Sequence, residues 1–276
     1  MKDKFSAIWV SHSSMSDYLK CPRAYYLKNI YRDSKTNHKI MLMQPPLALG
    51  QVVHDVIDSL SLLPVEERFN QSLLDTYEKQ WKNVSGRMGG FVDNEEEQTY
   101  KDRGKAMIDR ITKHPGSLAR KAIKIRQDLP YYWLSEEDNI ILCGKIDWLE
   151  YMEDVDGVNI IDFKTGKFDE DGSSLQLPIY YLLAMHTQTR PVVAMSYWYL
   201  DRDDEPTEVS FPSMEESTKR VMEVAHKVAL ARKLEHFKCA QNEGCRVCRP
   251  YEAIISGRAT FVGVGGYAQD IYILGS

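Results

Sequence analysis

The chain reads as an α/β protein with a helical elaboration, and three observations carry that reading. Apolar residues recur at helical spacing up to about residue 114. The period then changes to alternating and wholly apolar runs between 121 and 166. Beyond 173, helical and strand-like segments interleave. At 276 residues the chain is long enough for one large domain with a sizeable core.

The first segment, "SHSSMSDYLKCPRAYYLKNIYR", opens with hydroxyls that can cap a helix. Met15, Tyr18, Leu19, Tyr25, Tyr26 and Ile30 follow at helical spacing, and Pro22 divides the segment into two short helices. In "PPLALGQVVHDVIDSLSLL", Leu49, Val52, Val53, Val56, Ile57 and Leu60 form one apolar helical face. Residues 66–114 read as mostly helical, interrupted by a loop at "SGRMGGFVDNEEEQ", whose acidic run is expected to be solvated.

Three strands are expected next, in "KAIKIRQDLPYYWLSE", "NIILCGKIDWLEYM" and "VNIIDFKTG". A helix follows in "SSLQLPIYYLLAMHTQ", then strands in "PVVAMSYWYL" and "TEVSFP". "SMEESTKRVMEVAHKVALARKLE" is a long amphipathic helix with acids in its first turn and bases at its end, and Ser213 is a candidate cap. A cysteine-bearing segment and a glycine-rich, aromatic tail close the chain.

The composition, 43% hydrophobic and 27% charged, is that of an ordinary globular protein. A net charge of −5 argues against a uniformly basic coat but leaves room for a local nucleic-acid groove. No apolar run reaches the ~18 residues that span a bilayer, and the first residues lack the apolar core of a signal peptide. An intracellular, cytoplasmic protein without membrane association is therefore expected. The chain carries no GxxxxGK[ST] phosphate loop and so no ATPase motor of that type.

Charge placed in an apolar strand points to a site. In "NIIDFKTGK", Asp162 and Lys164 are two residues apart and share one strand face, with Phe163 on the other. The strand through "CGKIDWLEY" should pair with this one as a hairpin across the acidic turn "MEDVDG", which sets Asp147 beside Asp162. Two adjacent carboxylates repel unless a cation or proton lies between them. The acids alone fit a metal site or a pair of exposed strand-end carboxylates, one of them salt-bridged to Lys164. Gln176 and Tyr180 lie at i and i+4 on the following helix, and His54 stands in an otherwise apolar helix, where a core role is the commoner one.

Five cysteines occupy positions 21, 143, 239, 245 and 248. The odd count and uneven spacing do not suggest a secreted disulfide framework, and three cysteines within ten residues ask for a metal. Thiolate ligands suit an iron–sulfur cluster or zinc. Cys143, in a strand beside Gly144, reads as a small core residue.

In order along the chain, "SHSSMSDYLKCPRAYYL", "LGQVVHDVID", "GKID", "IDFKTGK" and "QLPIYYLL" resemble the PD-(D/E)XK nuclease superfamily and, within it, the RecB-type branch. The resemblance runs from about residue 11 to about 257. It implies a restriction-endonuclease-like core, a mixed central sheet flanked by helices, within a single nuclease domain spanning 1–276. Residues 63–118 would be a helical insertion, and 235–257 a cysteine-rich segment packing on the N-terminal helix. By the same resemblance His54, Asp147 and Asp162 would be metal ligands together with the Phe163 carbonyl. Lys164 would be the catalytic lysine, and Gln176 and Tyr180 the motif that touches the site or the nucleic acid.

Carboxylate oxygens suit Mg²⁺, and an added imidazole also admits Mn²⁺. Cys21, Cys239, Cys245 and Cys248 would bind a 4Fe–4S cluster, with Zn²⁺ the alternative. The C-terminal pattern departs from the family's, because Ile254 stands where the last cysteine is usual and Cys239 precedes the pair instead. The expected activity is hydrolysis of DNA phosphodiester bonds at ends or in single strands, in repair, recombination or CRISPR adaptation, with a helicase or CRISPR-adaptation partner. The competing expectation is a non-catalytic nucleic-acid-binding subunit or adaptor, for which the full set His54, Asp147, Asp162 and Lys164 has no physical use.

Overall fold

A computed structural model describes residues 3–125 and 127–275. Its first elements are strand β1 (Ile8–Val10) and helix α1 (His12–Lys20). Ser11 caps α1 and exchanges hydrogen bonds with Ser14 in a capping box. Pro22 ends that helix and starts α2 (Pro22–Tyr25), which runs into one wide turn over 26–30. Strand β2 (Lys39–Leu42) leads to α3 (Pro45–Leu60), whose apolar stripe is the expected one and is buried.

Helices α4 (Leu73–Trp81) and α5 (Asn94–Lys113) pack on α3. The acidic run expected to be a solvated loop instead opens α5, capped by Asp93. Glutamates favour a first helical turn because the free N–H groups and the helix dipole attract negative charge. Glu97 accepts from Trp81, Ser85 and the backbone N–H of Gly86, and so ties the preceding turn to the helix.

Five strands follow: β3 (Tyr131–Ser135), β4 (Ile140–Cys143), β5 (Trp148–Met152), β6 (Gly157–Lys164) and, after α6 (Gln176–Thr187), β7 (Val192–Tyr199). The run expected as one strand over 139–152 is two, broken over 144–147. A two-residue strand β8 (Thr207–Glu208), helix α7 (Met214–Lys233) capped by Ser213, and short helix α8 (Arg249–Ile255) precede a terminal hairpin, β9 (Ala259–Gly265) and β10 (Gln269–Leu274).

Among the described residues the strands form three sheets, ordered β1-β4-β3, β2-β10-β9 and β5-β6-β7-β8. The last is mixed, because β6 is antiparallel to β5 and parallel to β7. The two halves of the broken strand thus serve different sheets, and the break leaves Asp147 at the mouth between them.

Alternation along β6 assigns its two faces. Ile161 and Phe163 enter a core built with α3, α4, α5, Trp148 and Trp198. Val158 and Ile160 enter a second core with α6, α7, β1 and β4. Gly157 starts β6 because a side chain there would stand 2.5 Å from Val193. Cys143 is buried beside the Val10 carbonyl, as a core residue should be.

Candidate active site and cysteine cluster

The β5–β6 pairing sets Trp148 opposite Ile161 and so brings Asp147 level with Asp162, as the hairpin expectation required. Asp147 Oδ2 accepts the backbone N–H of Phe163 at 3.1 Å and stands 3.5 Å from His54 Nδ1. His54 is half-buried on α3, and its ring meets Phe163 edge-on. Burial alone would lower the His54 pKa. The Asp147 carboxylate, with Asp162 and Asp58 behind it, raises it on balance. Gly50, one turn earlier on α3, lets that helix lie against Thr165; a side chain there would come within 3.2 Å of the threonine hydroxyl.

Asp162 is 1% exposed and faces α6, as its alternation with Phe163 demands. Gln176 donates from Nε2 to Asp162 Oδ1 at 2.7 Å and contacts the Tyr180 hydroxyl at 3.2 Å. Gln176 Oε1 accepts from Lys164, and Lys164 Nζ stands 2.8 Å from Asp162 Oδ2. That contact is an ion pair without hydrogen-bond geometry, since Oδ2 is a buried acceptor with no aligned donor. Burial, with Asp147 adding, pushes the Asp162 carboxyl up to about 7. Burial would lower the Lys164 pKa, but Asp162 and Glu170 raise it on balance, so the amine is an ammonium. Tyr180 is held well above its ordinary value by burial and the two aspartates and stays a neutral hydroxyl.

A buried carboxylate with one orphaned oxygen, a second carboxylate beside it and an imidazole within reach form a donor set that suits a hard divalent cation. Among the described residues these three are more openly set than the four cysteines, the one group with all ligand atoms within 4.8 Å of one another. Lys164 neutralises Asp162 in this arrangement.

Sequence reasoning did not single out Glu170, which pairs with Lys164 at 3.1 Å from the loop between β6 and α6. Nor did it single out Arg103, which donates to the Thr165 carbonyl at 2.9 Å, or Lys145, which pairs with Asp58. The acidic wording "KFDEDGSS" is the one signal for Glu170, and it does not separate that residue from its neighbours. Two grooves flank the site. One of about 630 Å³ is lined by Lys124, Lys145, Asp147 and Tyr267. The other, about 510 Å³, is lined by Glu170, Tyr197, Tyr199, Arg202 and Arg220.

Outside this site, Cys21 meets Cys239, Cys245 and Cys248, with Cys245 Sγ and Cys248 Sγ 3.8 Å apart. Arg23 reinforces the junction with a two-pronged pair to Glu252, at 2.5 and 3.3 Å, and Phe237 packs on Tyr25 and Tyr26. Backbone N–H groups of Cys248 and Val247 pull the Cys245 thiol down to about 6, while burial pushes Cys248 up to about 12. A tetrahedral ion with bonds of about 2.3 Å to sulfur spaces its thiolates about 3.8 Å apart. A four-iron cube places a separate iron under each thiolate and spreads the sulfurs to about 6 Å. Cys245 and Cys248 stand at the single-ion spacing, and all four sulfurs lie within 4.8 Å of one another, a group that could hold a metal ion.

These features define a candidate divalent-cation site on a mixed α/β core. The sequence pattern of the PD-(D/E)XK nuclease superfamily matches residues 9–254, and the chain belongs to that superfamily. Among solved structures it is similar to a protein from Eubacterium rectale described as a candidate exonuclease. The two are 14% identical, the alignment covers 93% of this chain and 91% of that one, and the TM-score is 0.48. No curated protein matches the chain at the same stringency. Among the described residues no helix is long and apolar enough to cross a membrane.

Proposed function

We propose that the chain is a divalent-metal-dependent deoxyribonuclease of the RecB-type branch, acting on DNA ends or single strands. The observation that carries this reading is the gathering of Asp147 with His54, and of Lys164 with Gln176, around the buried Asp162, whose Oδ2 has no hydrogen-bond donor. His54, Asp147, Asp162 and the Phe163 carbonyl would hold Mg²⁺ or Mn²⁺. Such a cation supplies a water of lowered pKa and neutralises charge on the phosphodiester.

Lys164, kept protonated by its carboxylate neighbours, stabilises the negative charge that builds on the phosphate and does not serve as a base. Gln176 fixes Asp162 and Lys164 relative to each other, and Tyr180 backs Gln176. The two grooves give a strand a path past Asp147 on one side and Glu170 on the other. This reading includes an intracellular, cytoplasmic site of action. Unwinding, where the pathway is repair, recombination or CRISPR adaptation, falls to a helicase or CRISPR-adaptation partner. We treat 1–276 as one nuclease domain, with 63–118 as its helical insertion.

The cysteine group is a structural metal centre that ties 235–257 to the N-terminal helices. The Cys245–Cys248 spacing favours one Zn²⁺, and the 4Fe–4S cluster that the family resemblance implies is the alternative.

The test is digestion of end-labelled single- and double-stranded DNA with Mg²⁺ or Mn²⁺. Asp162→Ala and Lys164→Ala should each lower cleavage about 100-fold or more while the fold persists. Activity of both variants within a few-fold of wild type removes the assignment of this site. Tight binding by a wild-type protein that cleaves nothing supports the adaptor instead.

A further inference from the structure

The Lys164 ammonium has three protein acceptors around it, of which the Gln176 side-chain carbonyl makes a hydrogen bond and the two carboxylates make ion pairs. The three are Asp162 Oδ2 at 2.8 Å, Glu170 Oε2 at 3.1 Å and Gln176 Oε1. A substrate oxygen must therefore compete with these three contacts for the ammonium, and one partner must yield in the working enzyme.

Gln176 is buried and spans Asp162, Lys164 and Tyr180, so it cannot leave without taking a hydrogen bond from each. Glu170 is held by more than its ion pair. Its backbone N–H donates to the Tyr199 hydroxyl at 3.0 Å. The loop carrying it is strapped by Arg103 on the Thr165 carbonyl and by Arg220 on the carbonyls of Ser173 and Ser174 at 3.1 and 3.3 Å. Asp162 is the partner with another use, because a cation bound to its orphaned oxygen competes directly with Lys164.

Charge counting agrees. Asp147, Asp162 and Glu170 carry three negative charges, and a divalent cation with Lys164 carries three positive ones. Without Glu170, the cation would repel an ammonium fixed by a neutral amide alone.

We propose that Glu170 is a positioning residue of the hydrolytic site: with Gln176 it anchors Lys164 once a divalent cation takes Asp162, leaving one N–H aimed at a non-bridging phosphate oxygen. This rests on the nuclease reading of the site. The opposite role for the same contact is a carboxylate that occupies Lys164 in place of phosphate and must be displaced by substrate. The two roles predict opposite signs.

The experiment compares wild type with Glu170→Gln, Glu170→Ala and Glu170→Asp as full-length proteins. Single-turnover cleavage of an end-labelled oligonucleotide in Mn²⁺ should fall about 10- to 100-fold in Glu170→Ala, with KM within a few-fold of wild type. Glu170→Asp should recover part of the loss, and Glu170→Gln less. Affinity for the same oligonucleotide in Ca²⁺ should be unchanged. A Glu170→Gln variant that cleaves as fast as wild type, or binds the oligonucleotide several-fold tighter, overturns the proposal in favour of the displaced carboxylate.

A second readout needs no turnover. Acylation of Lys164, followed by mass spectrometry, should be insensitive to Mn²⁺ in wild type and several-fold faster with Mn²⁺ in Glu170→Ala. Equal rates in the two proteins would show that Glu170 does not hold Lys164. A wild type that cleaves no DNA refutes the nuclease reading, and the acylation rates still decide the role of Glu170.

Discussion

Gln176 and Asp162 are joined by a 2.7 Å hydrogen bond from the glutamine Nε2 to the aspartate Oδ1, across the gap between α6 and β6. The other end of the same amide accepts from Lys164. One neutral side chain thereby sets the distance between a carboxylate and an ammonium, a task that neither charged partner can perform for itself.

Gln176→Ala should therefore lower cleavage by at least about 10-fold. It should also destabilise the metal-free protein by about 1–3 kcal/mol, because a buried carboxylate oxygen loses its donor. Gln176→Glu presents a carboxylate to Asp162 and should lose activity while keeping the packing of α6. Thermal melts beside single-turnover rates check both. A Gln176→Ala protein with wild-type rate and stability would show the amide to be idle.

The Asp162 carboxyl makes the metal-free protein sensitive to pH in a stated direction. Its value is raised from 3.8 to about 7 in the folded chain, so between those limits the folded state holds a proton that the unfolded state has lost. The stability this contributes is complete below about pH 4 and disappears as pH rises through about 7. Metal-free Tm should fall across that window more steeply in wild type than in Asp162→Asn. Saturating Mn²⁺ should flatten the wild-type curve, since a bound cation replaces the proton. Parallel curves for wild type and Asp162→Asn would show that Asp162 does not titrate there.

His54→Ala separates a ligand from a core residue. The imidazole is half-buried and 3.5 Å from Asp147, so its loss should leave Tm nearly unchanged and raise the Mn²⁺ concentration needed for half-maximal activity about 10-fold or more. A core histidine would give the reverse, a lower Tm with unchanged activity per folded molecule.

How far the sequence disclosed all this depended on whether the signal was local. The alternation of Asp162 and Lys164 against Phe163 is a property of three adjacent residues, and the structure keeps it. The helical face of α3 and the Ser213 cap are local in the same sense. The break over 144–147 was not legible, because "NIILCGKIDWLEYM" is apolar on both sides and only the destination of each half, β1 and β3 or β6, distinguishes two strands from one. The hairpin β9–β10 was hidden by its glycines and by a turn that uses Tyr267 and Ala268 in the left-handed region, φ 56° and 52°, where glycine or asparagine is usual. Glu170 escaped because its role depends on where an irregular loop returns, which no periodicity encodes.

The four cysteines allow the sharpest outcome. Cys21 is more than two hundred residues from Cys239, and their joint ligation closes nearly the whole chain into a loop, whose entropic cost in the unfolded state grows with its length. Cys21→Ser should lower Tm by many degrees and leave the cleavage rate per folded molecule unchanged, because the cluster touches none of His54, Asp147, Asp162 or Lys164. With sulfurs gathered within 4.8 Å, the purified protein should be colourless and carry one equivalent of zinc. A chelator that removes the zinc should reproduce the Cys21→Ser melt. Brown protein with four irons per chain would instead establish the iron–sulfur cluster, with the sulfurs moving apart to hold it. Metal-free protein with all four thiols titratable, and as stable as the purified form, would remove the metal staple altogether.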